Sequence, residues 1–310
     1  MFRGLIIGCG NIGAGYDFDS EDILTHAKAY HKHPNFMFDV YDIDMELATK
    51  ISIKYETDLV TNLTKELLSQ YDCLSICTPT NTHFEILKMA FQSEVQVIIC
   101  EKPIAINRHQ LQQLDSLYKA SKTKVLVNFI REFQPNYLLL KEYLNNQDYI
   151  GEDIHTVIIK YQRGFINNGS HAFSLLNYLF GSSSDFYNTK LIDTFFDTFE
   201  DDPTICLTTH ISQKKIHLIG ITNVDFPIFE LELFGKTNQI VIADRGSAIF
   251  CNITKNRNTE LKLHLTDCIT NYMQPVIETT YKLLTNQITK DNFLESLHLN
   301  QTMLNMINNE

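Results

Sequence analysis

Short apolar runs alternate with longer stretches in which apolar residues recur every three or four positions through the first 130 residues. Phe2–Ile7, Phe36–Tyr41, Cys73–Cys77, Val95–Cys100 and Lys124–Phe129 are largely apolar runs of five or six residues, the last three with β-branched side chains. Their length and composition predict strands. Between them, His26–His31, Phe84–Phe91 and Gln110–Ala120 carry helical spacing. Strands alternating with helices predict a doubly wound parallel sheet, covered on both faces.

The rhythm changes after Phe133. Pro135–Leu144 reads as one helix, followed by a turn at Gly151. Strands then follow with little helix between them: Ile154–Tyr161, Thr204–Ile211, Lys215–Ile221, Ile228–Phe234, Gln239–Ala243 and Ala248–Cys251. Gly235 and Gly246 stand where hairpins would turn. One helix, His171–Phe180, interrupts the series and stops at Gly181, and helices resume at Met273–Leu284 and Phe293–Met306. The pattern predicts two domains, 1–130 with the parallel sheet and 131–310 with a large, mostly antiparallel sheet of α+β type.

Composition narrows the partners. A net charge of −11 with singly scattered Lys and Arg disfavours nucleic acid. No apolar stretch reaches the roughly 18 residues of a membrane span. The opening MFRGLIIGCG is too short and Gly-broken for a signal peptide. Seven cysteines, an odd number without paired C-x-x-C spacing, argue against zinc and for a reducing compartment, so a cytoplasmic protein without a metal is expected. Cys9, Cys73, Cys77 and Cys100 lie in or beside apolar runs, where a thiol behaves as a small hydrophobe. His31 with His33, and His210 with His217, read as surface residues, and Asp201-Asp202-Pro203 as a turn.

Chemistry concentrates at the ends of the strands. Gly8-Cys9-Gly10-Asn11-Ile12-Gly13 follows the first strand and spells G-x-G-x-x-G, the glycine turn that lets a backbone approach a dinucleotide pyrophosphate. Asp42 closes the second strand, 29 residues beyond Gly13, the excess over the usual spacing lying in the polar insertion GYDFDSEDILT. A carboxylate there accepts from both ribose hydroxyls and repels a 2′-phosphate, favouring NAD over NADP. An ordinary strand-end acid fits the same position. Thr78-Pro79 ends the next strand and leads to His83, a cleft residue or merely a helix-start histidine. Ile98-Ile99-Cys100-Glu101-Lys102-Pro103 places an acid, a base and a proline at the mouth of the fourth strand. An ammonium there could hydrogen-bond an alcohol or carbonyl oxygen during hydride transfer. In the second region, Asn167-Asn168-Gly169-Ser170 opens the helix carrying His171. A helix N-terminus disfavours the imidazolium, leaving His171 able to accept a proton, although it could equally cap or pack its helix. Arg163 could meet a substrate carboxylate or phosphate, or be a sheet-edge charge.

Together these residues resemble the glucose–fructose oxidoreductase/inositol dehydrogenase/rhizopine catabolism (Gfo/Idh/MocA) family over nearly the whole chain. The Glu101-Lys102-Pro103 signature is the most specific element, joined by the glycine turn, Asp42, Thr78-Pro79…His83 and Gly169-Ser170-His171…Leu179-Phe180-Gly181. The resemblance implies a Rossmann domain followed by an open-sheet α+β domain, pairing into homodimers or homotetramers. It implies that Lys102 is the catalytic lysine, that Glu101 lies by the nicotinamide ribose, and that Thr78, Pro79 and His83 line the cofactor cleft with Gly8, Gly10, Asn11, Ile12 and Gly13. It makes His171 the acid/base. Two positions depart from the family pattern: Asn167 stands where many members carry Asp, and Ser174 where Asp is frequent. Asn167 can orient a hydroxyl but cannot titrate, and in carrying Asn there the chain resembles some nucleotide-sugar dehydrogenases of the family, which implies an amino-sugar or nucleotide-sugar substrate. The expected activity is NAD-dependent interconversion of a hydroxyl and a ketone on a sugar-like molecule. The alternatives are a dinucleotide-binding regulator without turnover, and a reductase of a non-sugar carbonyl or imine.

Overall fold

The computed structural model of the chain describes residues 1–146, 153–181, 186–255 and 258–308, and the turn expected at Gly151 lies outside them. The chain forms two compact units, Met1–Phe133 with Asn271–Gln301, and Gln134–Thr270 with Thr302–Glu310.

The first unit is built on five parallel strands, β1 (Phe2–Ile7), β2 (Phe36–Tyr41), β3 (Cys73–Ile76), β4 (Val97–Cys100) and β5 (Lys124–Val127), in the order β2-β1-β3-β4-β5. A bridge from Val40 to Leu59 adds one further parallel contact outside β2. With it the order becomes that of a Rossmann sheet whose third strand has shrunk to a single bridge. Leu5, Ile6, Ile7, Leu74, Ile98, Ile99, Val125 and Val127 are all fully buried, as strands covered on both faces require.

Helices α1 (His26–Lys32), α2 (Met45–Tyr55), α3 (Lys65–Leu68), α4 (Thr80–Ser93) and α5 (Arg108–Ala120) connect the strands. Thr25, Asp44, Thr64 and Asn107 cap four of them through side-chain oxygens that accept backbone N–H groups. The polar insertion after the glycine turn is folded around Asp17, fully buried, whose carboxylate accepts from Leu24 N, Thr25 N and Thr25 Oγ1. His33 corrects the surface reading: its ring packs on Phe36 and Tyr281, and Nε2 lies 3.3 Å from Glu278 Oε2. The partner comes from a helix some 245 residues away in sequence, which no local pattern reveals.

The second unit carries α6 (Pro135–Asn146), β6 (Thr156–Tyr161), α7 (Ser170–Phe180), β7 (Tyr187–Phe195), β8 (Thr204–Ile211), β9 (Lys214–Gly220), β10 (Phe229–Phe234), β11 (Asn238–Ala243), β12 (Ala248–Lys255) and β13 (Asn258–Leu265). Its eight strands run in the order β13-β12-β11-β10-β6-β9-β8-β7, antiparallel except for the β6–β9 pair. Strand β6 buries Val157, Ile159 and Tyr161 and leaves the alternate residues half-buried, the period-two signature of a sheet with one face on the core. Helices α8 (Gln274–Leu284) and α9 (Phe293–Asn308) close the chain, and α8 buries Val276, Ile277 and Leu284 in the first unit's core.

Candidate functional site

The carboxyl ends of adjacent parallel strands carry Asp42 after β2, the glycine turn after β1, Thr78-Pro79 after β3, Glu101-Lys102 after β4 and Asn128 after β5. In open α/β sheets this edge is where ligands bind. Gly8 takes a φ of +101°, and a Cβ there would lie 2.8 Å from the Cys77 carbonyl carbon. A Cβ on Gly13 would lie 2.1 Å from Gly8 O, so both glycines are required by the protein itself. Gly10 is different: it is exposed, and a Cβ there would meet nothing within 4 Å. Residues Asn11–Gly15 then form one wide π turn in which the N–H groups of Ala14 and Gly15 both donate to Gly10 O, at 2.9 and 3.1 Å. Among the described residues no protein acceptor meets the N–H groups of Asn11, Ile12 and Gly13.

Asp42 is drawn against this turn. Its Oδ2 accepts from Cys9 N at 2.6 Å and its Oδ1 from Asp44 N at 2.9 Å. A carboxylate has roughly four acceptor positions, so lone pairs remain for ribose hydroxyls. The open N–H groups, the bare Gly10 and the adjacent carboxylate together fit a dinucleotide. Burial, aided by the Asp42 charge, pushes the Cys9 thiol up to about 12, and burial holds Cys77 well above the usual thiol range. These cysteines are packing groups rather than nucleophiles.

His83 is 1% exposed, with Nδ1 2.9 Å from Pro103 O and Nε2 2.8 Å from Thr78 O. Both ring nitrogens thus face carbonyls of the two strand-end loops, and the one N–H of the neutral ring donates to one of them. Burial lowers its pKa, opposed by the two carbonyls and Glu101. Glu101 Oε1 receives His26 Nε2 at 3.0 Å and Asn128 Nδ2 at 2.6 Å. Burial raises the Glu101 carboxyl, but His26, Asn128 and the Lys102 charge outweigh it and leave it below the usual range. Lys102 is half-buried beside it and joined to Pro103 by a cis peptide bond. His26 and Asn128 escape the sequence reading. The available signal is that His26 and Tyr30 are four apart on a helix, with Ala27, Lys28 and Ala29 between them.

In the second unit, Phe165–Gly169 forms a second π turn leading directly into α7. Asp202 accepts from Ile166 N through Oδ1 at 2.8 Å and from Asn167 N through Oδ2 at 2.7 Å. Asn167 and His171, both half-buried, follow on the turn and on the first turn of α7. Arg163 is exposed, with a left-handed φ of 61°. The turn is further tied by Phe165 N to Pro203 O and Gly164 N to Thr204 Oγ1. Asp202 thus does more than mark a bend: it holds the segment that carries Asn167.

Residues 2–129 match the sequence model of an oxidoreductase family with an NAD-binding Rossmann fold. Inositol 2-dehydrogenase of Rhizobium meliloti is 26% identical over 142 residues, a match spanning 46% of this chain and 40% of that protein. UDP-N-acetylglucosamine 3-dehydrogenase from Acidithiobacillus ferrooxidans superposes with a TM-score of 0.78 at 15% identity, over 98% of this chain and 96% of that one. KijD10, a 3-ketoreductase from Actinomadura kijaniata solved with NADP, gives a TM-score of 0.78 at 14% identity, over 98% and 96% of the two chains. At such identities the structural likenesses establish the fold.

Proposed function

Because the chain belongs to the Gfo/Idh/MocA family of oxidoreductases with an NAD-binding Rossmann fold, we propose that it is an NAD-dependent enzyme interconverting a hydroxyl and a ketone on a sugar-like substrate. The observation that carries this reading is the row of adjacent strand ends, where a dinucleotide-shaped glycine turn and Lys102 stand on one edge of one sheet. A bound nicotinamide supplies hydride exchange at its C4. Lys102 donates a hydrogen bond to the reacting oxygen and stabilises the negative charge that develops there. Glu101 keeps a negative charge beside that ammonium. We assign the proton to Lys102 and His171, as the resemblance implies, with Asn167 orienting a substrate hydroxyl. Arg163, exposed, offers a guanidinium to a substrate phosphate or carboxylate.

NAD is preferred over NADP because the Asp42 carboxylate repels a 2′-phosphate. A structural relative is solved with NADP, so this preference rests on Asp42 and not on the fold. Relatives named for inositol and for UDP-N-acetylglucosamine support the sugar class. We assign substrate binding and pairing into a homodimer or homotetramer to the second domain, taken from residue 131 onward. The seven free thiols suit a cytoplasmic setting.

The test is nicotinamide absorbance with NAD and NADH against inositols, free sugars, sugar acids and nucleotide-linked amino sugars. Turnover on one class is expected, falling roughly 10²- to 10⁴-fold in Lys102→Met while NADH still binds. Undiminished turnover in that variant refutes the role of Lys102. Silence of the wild type across the panel, with NADH bound, replaces the enzyme with a dinucleotide-binding regulator.

A further inference from the structure

Helix α1 and strand β3 bring two pairs of polar side chains into step. His26 and Tyr30 are four residues apart on the helix, a rise of about 6 Å. Cys73 and Ser75 are two apart on the strand, a rise of about 6.7 Å. Tyr30 Oη lies 3.4 Å from Cys73 Sγ and 3.1 Å from Ser75 Oγ, Ser75 Oγ lies 3.0 Å from His26 Nδ1, and His26 Nε2 lies 3.0 Å from Glu101 Oε1. His26, Tyr30, Cys73 and Ser75 are all fully buried.

The direction of these bonds follows from the last acceptor. An ionised carboxylate only accepts, so His26 Nε2 carries the hydrogen, and in the neutral ring Nδ1 accepts from the Ser75 hydroxyl. The Ser75 oxygen then accepts from Tyr30 O–H, and Tyr30 from the weak S–H of Cys73. Each group directs its one proton toward Glu101. Asn128, 1% exposed, donates to the same Oε1 from the other side at 2.6 Å. Among the described residues Glu101 Oε2 receives no hydrogen bond.

We propose that His26 is a positioning residue: with Asn128 it pins Glu101 Oε1, so that Oε2 alone remains to accept from a hydroxyl at the strand mouth, and the Ser75–Tyr30 hydroxyl chain holds the imidazole ring in the orientation that makes this possible. The proposal rests on the reading of the Lys102 strand end as the reacting site. A chain of buried polar groups is costly unless every member is satisfied, and packing alone would be served by aliphatic residues at the same positions.

The test exploits the charge state of Glu101. The titratable groups facing it are His26 from α1, Lys102 beside it in sequence, Cys77 and Cys100 at neighbouring strand ends, His83 from α4, and Tyr272 just before α8. His26 is the strongest of the influences that lower the carboxyl, so its loss moves protonation to higher pH. The experiment follows the Glu101 carboxyl by ¹³C NMR in glutamate-labelled protein, the resonance being assigned with Glu101→Gln. His26→Leu is expected to raise the midpoint by about one unit, a tenfold change in proton affinity. His26→Gln, whose amide donor reaches the position of Nε2, restores most of the shift. In the turnover assay the acid limb of kcat moves to higher pH in His26→Leu and back in His26→Gln. An unchanged midpoint in His26→Leu, or equal midpoints in the two variants, overturns the proposal. If His26→Leu does not fold, ¹⁵N spectra of the wild-type imidazole decide: it should be the Nε2–H tautomer. A wild type with hydrogen on Nδ1 overturns it equally. Neither NMR readout needs turnover, so failure of the oxidoreductase reading and failure of this one are separable.

Discussion

Two π turns in different units of this protein share one hydrogen-bond ladder and treat their opening N–H groups in opposite ways. In the first, Ala14 and Gly15 donate to Gly10 O; in the second, Asn168 and Gly169 donate to Gly164 O. Each turn is five residues long, preceded by glycine and ended by glycine. At Phe165–Gly169 the chain supplies its own anion, because Asp202 accepts from Ile166 N and Asn167 N. At Asn11–Gly15 no protein acceptor among the described residues meets the corresponding groups. The glycines before the turns tell the same story. A Cβ on Gly164 would lie 2.2 Å from Asp202 Oδ2, whereas one on Gly10 would touch nothing within 4 Å. One glycine makes room for a carboxylate of the protein, and the other has no protein atom within 4 Å of its added Cβ. The same backbone device is met by a side chain of the protein in one place and by none among the described residues in the other.

The largest effect should come from the position where the first turn meets its own strand. In Gly13→Ala the new Cβ would lie 2.1 Å from Gly8 O and 3.1 Å from Gly8 C, both backbone atoms that cannot swing aside. We expect a loss of more than about 3 kcal/mol of stability, beyond ordinary overpacking, together with loss of NADH binding. Urea unfolding reads the first and a fluorescence titration with NADH the second, and a variant of wild-type stability would break the account of the first turn. Next in size is Asp202→Ala, which strips two amide donors of their acceptor and should cost about 2 kcal/mol. Hydrogen exchange at Ile166 and Asn167 locates the effect. If those two amides stay as protected as before, the carboxylate does not fill the second turn and the contrast between the turns disappears.

Much of the first unit is legible in the sequence because its parallel strands are buried on both faces and read as uninterrupted apolar runs. The glycine turn, Asp42 and Glu101-Lys102 fall at the ends of those runs, so their common edge follows from the alternation of strand and helix. The edge strands β7 and β13 are exposed along almost their whole length; β7 carries no alternating pattern, and β13 escaped although Leu261, Leu263 and Leu265 alternate with Lys262 and His264. Helix α2 escaped although its signals are present: Asp44 accepts from two backbone N–H groups at its start, and Ala48, Ile51 and Tyr55 line its buried face. His26, Asn128 and Asp202 were out of reach for a different reason. Each acts on a residue between 27 and 75 positions away, through hydrogen bonds that only the folded chain brings together. Sequence spacing identifies groups that touch a ligand more readily than groups that hold them.

The smallest expected effect on stability sharpens the comparison most. Gly10 has φ −64° and ψ −161°, an extended conformation that alanine adopts without strain. Its added methyl meets no protein atom within 4 Å, so Gly10→Ala should unfold within about 0.5 kcal/mol of the wild type. The methyl group would nevertheless occupy the side from which a pyrophosphate must approach the backbone. NADH affinity should therefore fall about tenfold or more, equivalent to about 1.4 kcal/mol, in a protein that is otherwise intact. Calorimetric unfolding and fluorescence titration of the same sample separate the two quantities. Unchanged affinity would mean that no ligand backbone comes close to Gly10. A parallel loss of stability would place Gly10 with Gly164, as a glycine required by the protein alone.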